Sequence, residues 1–398
     1  MNKIIAVILA VAAFFFLNSY DTKTYPELAE MLLHEYEAAA GTYKGAAREQ
    51  LDEEQQQLYD LIKGAIAKTE AEIVINRFNY SDDDLYRVIW CVMHDSPEIF
   101  WVDWTNWTVT RTGENDPITL TPVYIFAVSD IPARQAEFAT ALAKAVEMAK
   151  GESAEESRVR LVHDYFVNNV VYDEKGPATV HSAYGALVEG VAVCDGYARA
   201  IQLVLTELGI ECLYVEGRTK GSEVDAGHAW NIVTIDGVSY HLDATWDDIE
   251  AELPDYPDDW EYERAISHSF YLISDEEIEV THVKNSPIEL PACESYGFFE
   301  QRGLQTDGEY SEISDAVEQR LYDSIKGGKY YVEFRLLDEE EYQQATDVAT
   351  RYDYMVKGIF DTVNTMFFEA GDSLRITQYK IIALPNNCVL LTVLPGEV

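Results

Sequence analysis

The sequence predicts an α+β protein: a central domain of helices packed on an antiparallel sheet, flanked by two smaller α/β modules. Three observations predict it. A chain of 398 residues exceeds one ordinary core, so two or three domains are expected. The apolar spacing at either end reads in one order, helix, strand, helix, strand, strand. In the middle, a helical run precedes two strand-like runs joined by Asp236-Gly237, a strong hairpin signal. Hydrophobic residues make up 47% and aromatic ones 12%, which argues for filled cores and against disorder.

The chain opens Met1-Asn2-Lys3, then an uninterrupted apolar run from Ile4 to Leu17. A short basic start before such a run reads as a secretory signal peptide or an uncleaved N-terminal anchor over residues 1–19. It falls short of the roughly 20 residues that a spanning helix needs. Leu17-Asn18-Ser19 is a mediocre cleavage site, and the first cysteine is Cys91, which argues against a lipoprotein. The expectation is a secreted or cell-envelope protein, touching membrane only through that segment.

The N-terminal module is expected over 21–152. Pro26–Ala39 and Glu53–Lys68 read as helices, Glu72–Arg77 as a strand and Asp82–Met93 as a helix. Phe100–Arg111 and Ile118–Ala127 read as strands, and Ala133–Ala149 as a helix. Within it, Phe100-Trp101-Val102-Asp103-Trp104-Thr105-Asn106-Trp107 suits either a core face or a stacking surface, with core favoured. Gly151-Glu152-Ser153 marks the boundary. The central domain is expected over 153–290, starting with a helix at Arg158–Val170. The acidic stretch Asp247–Asp259 reads as a loop. A C-terminal module over 300–398 reads as helix Asp315–Lys326, strand Tyr330–Leu336, helix Glu339–Phe368 and strands Leu374–Leu384 and Val389–Leu394, with Asn386-Asn387 as the turn. Leu58-Tyr59-Asp60-Leu61-Ile62-Lys63-Gly64 and Leu321-Tyr322-Asp323-Ser324-Ile325-Lys326-Gly327 differ at one position, which suggests that the two flanking modules are related.

Acidic side chains number 71 against 29 basic ones, a formal charge of −42. Such a surface repels nucleic acid and anionic lipid, so no nucleic-acid partner is expected. It favours cationic segments such as Lys-bearing peptides, although solubility accounts for most of it. Of the five cysteines an odd one stays a free thiol, and no Cys-x-x-Cys pair offers a zinc site. No metal and no cofactor is expected, and no calcium-loop signature is present.

The chemistry lies in the central domain. Cys194 heads the helical run Tyr197, Ala198, Ile201, Val204, Leu205, Leu208, which Gly209 stops. Unpaired N–H groups and the positive dipole end of a helix lower a thiol's pKa and stabilise an oxyanion. Asp195 opposes thiolate formation. A two-residue turn at Asp236-Gly237 pairs Ile235 with Val238, so Trp230 faces Asp243 and His228 faces Thr245. His228 and Asp243 then share a face as diagonal neighbours, roughly 7–8 Å apart at the backbone. A base oriented by a carboxylate is what a thiol nucleophile needs. A one-residue slip would turn Asp243 away.

Three blocks carry a resemblance: Val193-Cys194-Asp195-Gly196-Tyr197-Ala198, Gly227-His228-Ala229-Trp230-Asn231 and His241-Leu242-Asp243-Ala244-Thr245-Trp246, followed by Phe270-Tyr271-Leu272-Ile273-Ser274-Asp275. Together they resemble the core of the transglutaminase-like superfamily, over roughly Glu155 to Ser286. The resemblance implies a papain-like fold with a Cys194, His228, Asp243 triad. It also implies acyl transfer on amide bonds of a peptide or protein, through a thioester. Water as acceptor makes a peptidase or amidase, the favoured outcome, and an amine makes a transglutaminase. Trp230, Trp246 and Tyr184 are candidate substrate-binding residues, each with packing as the plain alternative, as it is for His181. The alternative for the whole chain is a catalytically silent scaffold that binds cell-envelope material.

Overall fold

Asp52 opens the first long helix, α1 (Glu53–Ala67), with a capping box: its carboxylate accepts the Gln55 N–H at 2.8 Å and the Gln55 side chain accepts the Asp52 N–H at 3.2 Å. Ser81 and Asp84 do the same for α2 (Asp82–His94). Between them lies β1 (Ile73–Ile75), and after them β2 (Val102–Thr110) and β3 (Ile118–Tyr124) complete an antiparallel sheet of order β1-β3-β2. Leu58, Ile62 and Ile66 of α1, Val88 and Val92 of α2, and Ile73, Ile75, Ile118 and Leu120 of the sheet are buried. Phe100 and Trp101 join that core, as favoured, whereas Trp104 and Trp107 are half-buried, their rings stacked 5.5 Å apart.

The computed structural model describes residues 46–76, 80–111, 113, 116–220, 227–249, 265–295 and 297–397. The apolar N-terminal run, the expected helix Pro26–Ala39 and most of the acidic loop lie outside the described residues. Contacts group the chain into two compact units, Met1–Gly237 with His282–Pro291, and Val238–Thr281 with Ala292–Val398. No helix among the described residues is long and apolar enough to cross a membrane.

The first unit continues through α3 (Ile131–Ala149), α4 (Glu155–Asn169) and α5 (Cys194–Glu207) to β4 (Glu211–Thr219) and β5 (Gly227–Ile235). Every side chain of α5 from Gly196 to Leu205 is buried, so this helix is the centre of the unit. Its Arg199 and Gln202 donate to the carbonyls of Met93 and His94 at 2.8 and 2.9 Å. Those carbonyls end α2 and have no partner within their own helix. The face of β5 bearing Ala229 and Asn231 meets α5: the Asn231 amide donates to the Ala198 and Leu213 carbonyls at 2.9 and 3.2 Å. β4 pairs antiparallel with β5 on one side and with the strand His282–Lys284 on the other. Asp236 and Gly237 end β5 in left-handed backbone, φ 49° and 83°, as a tight hairpin turn demands.

In the second unit β6 (Val238–Leu242) pairs antiparallel with β7 (Tyr271–Ile273), and α6 (Asp275–Thr281) follows. Its other sheet has the order β8-β9-β11-β10, with β8 (Gln305–Thr306) parallel to β9 (Tyr331–Leu336). β10 (Leu374–Leu384) and β11 (Cys388–Glu397) form the long antiparallel hairpin. Helices α7 (Ser314–Lys326), α8 (Glu339–Thr346) and α9 (Lys357–Glu369) accompany it. The single helix expected over Glu339–Phe368 is therefore broken. Asp347 is extended, with φ −64° and ψ 130°, and its carboxylate accepts the Ala349 N–H at 2.6 Å, a local bond that competes with the helix.

The two flanking modules share one strand order. After the leading helix, the first strand pairs with the third and the third with the second, all antiparallel, in β1-β3-β2 as in β9-β11-β10. Leu58 and Ile62 are buried in α1, as Leu321 and Ile325 are at the matching positions of α7.

Candidate active site

Cys194 is the first residue of α5. Val193 before it is extended, and among the described residues no side chain caps the helix, so the first-turn N–H groups stay available to an oxyanion beside the thiol. None of the five cysteines is in a disulfide, and Cys194 is the one that is partly exposed. Burial pushes the thiols of Cys91 and Cys388 up to about 12, and that of Cys212 up as well, which leaves those three inert. A side chain at Gly196 would run into the Val180 carbonyl, so glycine there lets the turn Ala178–His181 lie against the start of α5.

That close approach brings His181 to Asp195. The Nδ1 of His181 is 3.3 Å from the Asp195 carboxylate, the Tyr214 hydroxyl donates to the same carboxylate, and the Arg199 guanidinium lies 3.8 Å away and over the Tyr214 ring. Burial alone would push the Asp195 carboxyl up. The hydrogen bond to His181, the charge of Arg199 and the Tyr214 hydroxyl outweigh it and hold the carboxyl at about 2. The same hydrogen bond raises His181, a half-exposed ring. The charge expected to oppose the thiolate is therefore met by three partners.

His228 is the second residue of β5 and is buried. Its ring stacks on Trp230 at 5.9 Å, and His282 stands 5.1 Å from both rings. The three rings share one face of the sheet above Gly217, where any side chain would strike the Trp230 ring and the Val283 carbonyl. The Cys194 side chain packs on Ala198, Tyr214 and Ala229. Successive strand residues face opposite ways, so Ala229 of that cluster and His228 lie on opposite faces of β5.

In the second unit Asp243 directly follows β6 and is buried. Its Oδ1 accepts the N–H groups of Thr245 and Trp246 at 3.0 and 3.3 Å, and its own N–H donates to the Phe270 carbonyl at 3.0 Å. Trp246 is half-buried, edge-on to Phe270 at 5.0 Å. Tyr184 of the first unit is buried among Phe100, Phe126 and Phe138. Its hydroxyl donates to Glu137 at 2.5 Å and accepts from Arg134 at 3.2 Å, so packing accounts for its place. Tyr214 and His282 escape a sequence reading. Each sits inside a strand with no local motif, and only the strand pairing brings them beside α5 and His228.

Residues 142–244 match the family described as the Transglutaminase-like superfamily. No curated protein matches the chain. Among solved structures it is similar to a proposed cysteine protease from Cytophaga hutchinsonii, at 16% identity and a TM-score of 0.25, over 35% of this chain and 61% of that one. It is similar to a TGase at 13% identity and a TM-score of 0.26, over 39% and 47% of the two chains. A proposed protease from Parabacteroides distasonis matches at 17% identity and a TM-score of 0.22, over 34% and 30%. The chain spans less than two thirds of the length of each of these structures. By the family match, this chain carries a transglutaminase-like domain over residues 142–244.

Proposed function

We propose that this domain is a cysteine-dependent acyl-transfer enzyme that cleaves amide bonds through a thioester, in an exported protein that acts on peptides or on cell-envelope material. One observation carries the reading most: the one partly exposed thiol heads a helix that Val193 leaves uncapped, and packs against a cluster that includes Ala229, the residue after His228. His228 takes the Cys194 proton, and the sulfur attacks the amide carbonyl. First-turn N–H groups hold the oxyanion, and the amine leaves with the proton from His228. Water or a second amine then releases the acyl group. Asp243 is assigned to orient His228, on the register that a tight Asp236-Gly237 turn sets; the left-handed φ of both turn residues supports that register. The mechanism needs the imidazole to meet the thiol past the start of β5.

A silent scaffold is the second reading, and the placement of Ala229 and His228 on opposite faces of β5 favours it. Incubating the full chain with an unfolded protein substrate and a fluorescent primary amine separates the readings. Peptide release that disappears in Cys194→Ala is expected, and label incorporation would assign the amine as acceptor. Peptide release and label incorporation that are equal in parent and variant, or absent from both, sink the enzyme reading.

A further inference from the structure

We propose that His241, Asp275 and Cys293 form a zinc site in the second unit. One ligand atom from each lies within 4.8 Å of the others. His241 and Cys293 are wholly buried, whereas the Asp275 side chain is 30% exposed and gives the ion and a fourth, water ligand a way in. Imidazole nitrogen, carboxylate oxygen and thiolate sulfur are the three donor types that zinc takes. A thiolate and a carboxylate also neutralise a doubly charged ion, which removes the main cost of burying it.

The backbone presents these groups together. Asp275 heads α6 and donates its N–H to the Cys293 carbonyl at 2.7 Å, while its Oδ2 accepts the Cys293 N–H at 2.8 Å. These two bonds lock the ligand-bearing segments side by side and turn Oδ1 towards His241, whose Nε2 is 3.0 Å away. Bonds of this kind orient metal ligands. Zinc would take the place of the hydrogen between Nε2 and Oδ1, the neutral imidazole then carrying its one proton on Nδ1, and the Cys293 thiol would lose its proton to solvent. The clasp would join the end of β6, the head of α6 and the segment after Pro291. No spacing motif announces it, because the ligands come from three separate stretches.

The test uses the full chain carrying Cys194→Ala, stripped with a chelator and given one equivalent of zinc chloride. X-ray absorption should show one sulfur at about 2.3 Å with nitrogen and oxygen at about 2.0–2.2 Å. Cobalt chloride in place of zinc should give a thiolate charge-transfer band. Cys293→Ser should lose the sulfur signal and the band. Asp275→Asn, which keeps the side-chain shape, should weaken zinc binding by at least about tenfold and so decides the matter if the serine variant does not fold. No stoichiometric zinc, a shell without sulfur, a sulfur signal that survives in Cys293→Ser, or unchanged affinity in Asp275→Asn overturns the site.

Discussion

Asp195 and His94 show how the surroundings of single side chains decide what the first unit tolerates. Asp195 beside the thiol is held ionised by His181, Arg199 and Tyr214. His94 is the reverse case. Burial pulls its imidazole down to about 4, the ring stacked 3.4 Å from Trp90 and edge-on to Tyr214. Between pH 4 and 6.5 the unfolded chain binds a proton at this residue that the folded one refuses, so the neutral ring adds stability that grows with pH and is lost on acidification. The advantage of the parent over His94→Gln should widen by up to about 3 kcal/mol across that window, measured by chemical unfolding at each pH. Asp95, which burial raises to about 6, titrates with the opposite sign in both proteins and cancels in the difference. Parallel curves would refute the assignment. Cys194, His228 and Asp243 stand out as candidates in the sequence because each lies in a local motif. Tyr214 does not, because its hydroxyl meets Asp195 only through the packing of α5 on β4.

Helices and strands followed their local codes where those codes were strong. The caps at Asp52 and Ser81, and the Asp236-Gly237 turn, put α1, α2 and the end of β5 where the sequence places them. The helix expected over Glu339–Phe368 failed because Asp347 bonds to its own following backbone, which a period of apolar residues does not reveal. The strand His282–Lys284 is too short for alternation to show, yet it brings His282 to the His228 and Trp230 rings. Gly217 is the element-level requirement beneath those rings. Gly217→Ala should cost about 1–3 kcal/mol, read as a lower Tm, and should displace Trp230 and with it His228. An alanine variant as stable as the parent would show that the sheet has slack at this point.

At the scale of the whole molecule, a net charge of −42 disfavours one more negative charge, that of a thiolate. An activated thiol in this chain must therefore owe its reactivity to local partners, chiefly the imidazole of His228 and the head of α5. The two flanking modules, with one strand order and helix sequences that differ at one position, bracket the transglutaminase-like segment along the chain; the helix match was readable in Leu58–Gly64 and Leu321–Gly327, the strand order was not. The most direct test of the catalytic claim is the pH dependence of Cys194 alkylation by iodoacetamide, in the parent and in His228→Ala, at low and at physiological salt. Fast labelling well below the ordinary thiol pKa of about 8.5, lost without His228 and little changed by salt, is the predicted result. Labelling that rises only near that pKa, alike in both proteins, would contradict it and leave the scaffold reading in its place.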